Sequence, residues 1–64
     1  MKHDYIINVG DCQVNCLPIE SARTVEEGID KATKYIKFGK YAEVVYMPED
    51  NDDINEIIWT SENH

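Results

Sequence analysis

One segment of this chain is marked as a helix at both ends, and it sets the terms for everything around it. Thr24-Val25-Glu26-Glu27 has the pattern of a capping box. The Thr24 hydroxyl accepts from the Glu27 amide, and the Glu27 carboxylate reaches back to the Thr24 amide. Val25, Ile29, Ala32 and Ile36 follow at helical spacing, with Tyr35 widening the apolar stripe. Glu26, Glu27 and Asp30 near the start and Lys34 and Lys37 near the end suit the helix dipole, and Gly39 supplies the stop. A helix with one apolar stripe needs a second layer to cover it.

The flanking segments read as that layer. Tyr5-Ile6-Ile7-Asn8-Val9 and Cys12-Gln13-Val14-Asn15-Cys16 are alternating runs separated by Gly10-Asp11. A Gly-Asp pair in that place predicts a type II′ hairpin, setting Val9 opposite Cys12, Ile7 opposite Val14 and Tyr5 opposite Cys16. Leu17–Arg23 reads as a connector, because Pro18 has no amide hydrogen to give to a ladder. After the helix, Tyr41–Met47 and Ile54–Thr60 are strand-like by composition, joined by the acidic turn-rich stretch Pro48–Asp53. The expected fold is α+β over residues 1–64 as one domain. Its order is β-β-α-β-β: a four-stranded, largely antiparallel sheet with one helix packed on one face, its strand order not readable.

Length limits what such a fold holds. A chain of 64 residues buries only roughly 60% of the surface its unfolded form exposes. Net stability of a domain this size is about 3–5 kcal/mol. An apolar content of 42%, including one Trp, four Tyr and one Phe, is nevertheless too rich for a disordered chain. No apolar run reaches the length of a membrane span, and the N-terminal apolar run is too short for a signal peptide. A cytoplasmic location is the expectation.

Charge is unevenly distributed. Residues 1–40 carry six acidic and six basic groups, whereas 41–64 carry Glu43, Glu49, Asp50, Asp52, Asp53, Glu56 and Glu62 and no Lys or Arg. The whole net charge of −7 therefore lies in the second segment. Such an end repels nucleic acid and anionic membrane and favours a basic protein surface. Glu43, Glu49, Asp50, Asp52, Asp53 and Glu56 are the candidate partner-binding residues.

One helix covers one face of the sheet. Alternation sends Tyr5, Ile7, Val9, Val14, Val44, Tyr46, Ile57 and Trp59 toward the helix and leaves Ile6, Asn8, Gln13, Asn15, Tyr41, Glu43, Val45, Met47, Glu56 and Ile58 on the open side. Val45, Met47 and Ile58 are apolar enough there to suggest either tolerated exposure or self-association into a homodimer.

Patterns for chemistry are sparse. Cys12 and Cys16, on one strand, stand about 13 Å apart, beyond the roughly 7 Å a disulfide allows, and read as reduced core thiols. Zinc would need further ligands, and only His3 and His64 are on offer. The acidic loop lacks the glycine and terminal carboxylate of an EF-hand. Nothing around Ser21 or Ser61 resembles a nucleophile elbow, and three glycines form no phosphate-cradling loop. Lys31, Lys34, Lys37 and Lys40 recur every three residues, which drifts round a helix instead of forming a stripe.

No catalytic, cofactor-binding or metal-binding residues are singled out. The expected function is a small acidic, non-catalytic protein-binding module against a basic, nucleic-acid-binding partner. Small phage or mobile-element inhibitors that mimic nucleic-acid charge are one type of such a module. The alternative is a self-associating structural or accessory domain using the open sheet face.

Overall fold

A computed structural model describes residues 3–51 and 53–61. The elements run β1 (Tyr5–Cys12), β2 (Asn15–Ala22), α1 (Val25–Ile36), β3 (Tyr41–Tyr46) and β4 (Glu56–Thr60). The four strands form one antiparallel sheet in the order β2-β1-β3-β4, with the single helix packed on it, as an α+β chain of this pattern should. Strands β2 and β3 flank β1, so α1 carries the chain from the edge strand β2 across β1 to β3.

The helix begins where its cap says it should. The Glu27 amide donates to the Thr24 hydroxyl at 3.1 Å. The return bond differs from the expected one: the Glu27 carboxylate accepts from the amide of Arg23, not of Thr24, at 3.3 Å. At the other end Gly39 takes φ 80°, a left-handed conformation that costs a side-chain-bearing residue about 1 kcal/mol or more. Its amide donates to the Ile36 carbonyl at 2.9 Å, closing the last turn.

The core lies between the helix and the two central strands. Ile7, Ala22, Ala32, Ala42 and Val44 are fully buried, with Tyr5, Val9, Ile29, Tyr35, Ile36 and Trp59 packed around them. Ile7 and Val44 are the largest side chains wholly enclosed, which is a small core. Polar ties supplement it. The Tyr35 hydroxyl donates to Glu20 at 2.6 Å and Lys34 pairs with Glu20 at 3.2 Å, so the helix is clamped to β2. Lys31 donates to the Ser21 carbonyl at 2.7 Å and pairs with Glu27 at 3.3 Å.

The first hairpin differs from its sequence reading. Gly10 and Asp11 lie inside β1, and the chain turns at Gln13-Val14. Tyr5 pairs with Ala22, Ile7 with Glu20 and Val9 with Leu17, so Leu17–Ala22 is strand and not connector. Three physical reasons account for the difference. No described residue other than Gly39 has positive φ, so neither Gly10 nor the turn residues adopt the conformation a type II′ turn requires. Gly10 is instead needed because a Cβ there would lie 2.0 Å from the Asn15 carbonyl oxygen. Pro18 is tolerated because β2 is an edge strand, where a missing N–H breaks no ladder. Bulges at Asp11 and Ile19 absorb the remaining mismatch.

Candidate partner-binding edge

The acidic segment forms a loop followed by an edge strand. Two consecutive turns shape the loop: the Asn51 amide donates to the Pro48 carbonyl and the Ile54 amide to the Asn51 carbonyl, each at 3.2 Å. The Asn51 side chain accepts from the Asp53 amide at 3.1 Å, a local bond characteristic of asparagine in turns. The loop is pinned to the N-terminal segment. Met47 donates to the Asp4 carbonyl at 2.7 Å, Glu49 donates its amide to the Asp4 carboxylate at 3.2 Å, and the His3 amide donates to the Glu49 carboxylate at 3.2 Å. Pro48 is buried beneath this seam.

Four of the six candidate carboxylates stand on the surface of this loop and strand: Glu49, Asp50, Asp53 and Glu56 are exposed. Asp52 lies outside the described residues. Glu49, Asp53 and Glu56 form no ion pair with another described residue, whereas on the opposite side Glu20 and Glu27 are neutralised by Lys34 and Lys31. The fields of these like charges add at this end, where the sequence has no Lys or Arg from residue 41 onward.

Glu43 does not belong with them, and its expected role as a partner contact needs correcting. It sits in the middle of β3 on the face away from the helix and is only 4% exposed. Its carboxylate accepts from the Tyr41 hydroxyl at 2.8 Å and from the Asn8 side-chain amide at 2.9 Å. Antiparallel pairing of Asn8 with Glu43 places that donor directly opposite. A carboxylate held this way is a structural polar group, satisfied because burying it unpaired would be costly.

Val45 is likewise displaced from its expected place on a self-association surface. At 2% exposure it offers no area to a second copy. Met47 is half-buried and Ile58 is 38% exposed. A bulge at Ile58 explains the altered faces of β4: Trp59 pairs with Val44, but Ile57 pairs with Val45 and Glu56 with Tyr46. Ile57 thus shares the open face with Val45, and Glu56 the helix side with Tyr46, the reverse of strict alternation. Tyr46 itself packs against Tyr5, the rings tilted by 44° with their centroids 5.4 Å apart. The larger exposed apolar side chains lie elsewhere: Val14 on the hairpin turn, Leu17 on β2 and Phe38 beyond the helix end. Sequence periodicity gave no warning of this, because the misplaced turn put Val14 on the core face.

Two other expectations change with the fold. Cys12 and Cys16 are free, but they flank the Gln13-Val14 turn on opposite strands instead of sharing one. Neither is a core thiol: Cys12 is exposed and Cys16 half-buried. The Cys16 thiol donates to the Gln13 carbonyl at 3.3 Å, and partial burial, helped by Glu43 and Cys12, pushes its pKa up. The serine at position 21 does acquire a histidine, since His3 Nδ1 lies 3.0 Å from the Ser21 hydroxyl. Both line an open depression with Ile6, Met47, Pro48 and Glu49. Glu49 there engages the His3 backbone and not its ring, so the pair is a tie between the N-terminal segment and β2 without the oriented base of a nucleophilic site.

Among the described residues no group of three or more His, Cys, Asp or Glu gathers as metal ligands, and no helix is long and apolar enough to cross a membrane. No protein-family model, curated protein or solved structure matches the chain.

Proposed function

We propose that this protein is a small non-catalytic protein-binding module whose acidic end docks on a basic, nucleic-acid-binding surface of its partner. The observation that supports this reading is the exposure of Glu49, Asp50, Asp53 and Glu56 on a loop and strand devoid of Lys and Arg. One form of such a module is an inhibitor that presents carboxylates where the partner expects phosphates, as phage-type charge mimics do. Electrostatic attraction of this kind steers association and is weakened by salt. Self-association through the open sheet face draws less support, since Val45 is enclosed and only Met47 and Ile58 of its expected residues retain exposed area.

The test is affinity capture from lysate of the source cell at low and high salt, using the wild-type chain and the double variant Asp50→Lys, Asp53→Lys. The proposal expects a nucleic-acid-binding protein to be retained by the wild type at low salt, released at high salt and missed by the variant. Equal capture by wild type and variant would exclude the acidic end as the contact.

A further inference from the structure

We infer that β4 is an open edge on which a basic, extended segment of the partner adds as a fifth strand. The inference rests on the reading that the acidic end meets a basic partner, and it adds the mode of contact.

The sheet has two edges, β2 and β4, and they are not alike. An edge strand presents alternate N–H and C=O groups with no ladder partner, which another chain can pair with. On β2 this offer is spoiled. Pro18 has no N–H, and the pairing of β2 with β1 carries two bulges, at Ile19 and Asp11, where that of β4 with β3 carries one. On β4, Glu56-Ile57-Ile58-Trp59-Thr60, there is neither proline nor lysine, two of the residues that commonly blunt an edge. Its one bulge, at Ile58, leaves neighbouring apolar side chains at the rim: Ile57 is 43% and Ile58 38% exposed. Ile54, just before the strand, is 37% exposed.

Charge selects the occupant. Glu56 opens the strand, and Asp53 and Asp50 precede it on the same stretch of chain. A second copy brought to this edge would add another chain of net charge −7, so pairing of β4 with β4 works against Coulomb repulsion. An extended segment that alternates Lys or Arg with apolar residues meets both features at once. Its backbone pairs with β4, its apolar side chains cover Ile57 and Ile58, and its cations face Glu56 and the loop acids.

The probe is a synthetic peptide of about ten residues in which lysine and valine alternate, long enough to span one strand. It is added to the full chain at low salt while amide hydrogen exchange is followed residue by residue. The expected result is at least about tenfold slower exchange at β4 amides under saturating peptide, with β2 amides unchanged. A peptide of the same sequence and charge with alternate backbone nitrogens methylated should lose that protection. If the methylated peptide binds as well as its parent, or if the parent leaves β4 exchange unchanged, strand addition is overturned. The first of those results would leave the acidic-end reading standing, because attraction through side chains alone would then account for binding.

Discussion

Replacing Gly10 with alanine tests the hairpin, and with it the placement of every residue on the central strands. An alanine Cβ built on this backbone would stand 2.0 Å from the Asn15 carbonyl oxygen, 2.5 Å from the Cys16 Cα and 2.9 Å from the Asn15 carbonyl carbon. All three are backbone atoms, so no side-chain rotation relieves the overlap. The strands must separate at the Gly10–Cys16 pair, and the tip beyond it loses its pairing. Overpacking of this kind costs about 1–3 kcal/mol. The loss of one or two ladder bonds adds about 1 kcal/mol each. The expected total, about 2–5 kcal/mol, is comparable to the roughly 3–5 kcal/mol available to a domain of this size. Urea unfolding followed by Trp59 fluorescence gives the difference directly. Gly39→Ala is the control, since its Cβ meets nothing within 4 Å and the φ of 80° alone should cost about 1 kcal/mol. A change below about 0.5 kcal/mol for Gly10→Ala would refute the close approach and reopen the Gly10-Asp11 turn.

Three further outcomes follow from the packing and the polar ties. Glu43→Ala, which removes the acceptor for Tyr41 and Asn8, should cost about 2–3 kcal/mol in the same unfolding assay, whereas Asp53→Lys, at an exposed carboxylate, should stay within about 0.5 kcal/mol. Thr24→Ala should cost about 1 kcal/mol through loss of the helix cap, seen as a lower urea midpoint. The Tyr35 hydroxyl, aided by Lys34 and Lys31, holds the Glu20 pKa below its usual value. A depressed carboxyl pKa adds stability that is present above the unfolded-state value and is lost as pH falls through the folded-state value. Thermal scans should therefore show a decline below about pH 4, shallower in Glu20→Gln. The same bond raises the Tyr35 pKa, so its share of stability is complete below about pH 10 and is lost as pH rises beyond it.

The helix was legible because it announces itself locally: a cap hydroxyl, a stripe of four apolar residues and a glycine stop are all readable within 16 residues. The last two strands were legible from composition, but the faces of β4 were not, since the bulge at Ile58 depends on pairing with β3 that no local pattern encodes. The hairpin failed for a related reason. Gly10 can serve a turn or a close backbone approach, and only the neighbouring strand decides which. Pro18 likewise reads as a break unless the strand is known to lie at an edge. At the candidate site, the exposure of Glu49, Asp50, Asp53 and Glu56 agrees with the run of acids in the sequence, while the burial of Glu43 required knowing that Asn8 and Tyr41 converge on it. That β3 is central and β4 is an edge is a property of strand order, which no local pattern in the chain encodes.

The central claim is that the exposed carboxylates of Glu49, Asp50, Asp53 and Glu56 drive association with a basic partner. Its most direct test is the association rate of the chain with the captured partner as salt is raised from about 50 to 500 mM, a range over which screening shortens from well above to well below 10 Å. The account predicts that the association rate falls at least about tenfold while the dissociation rate changes far less, with Asp50→Lys, Asp53→Lys slow at every salt. An association rate indifferent to salt and to charge reversal would contradict it.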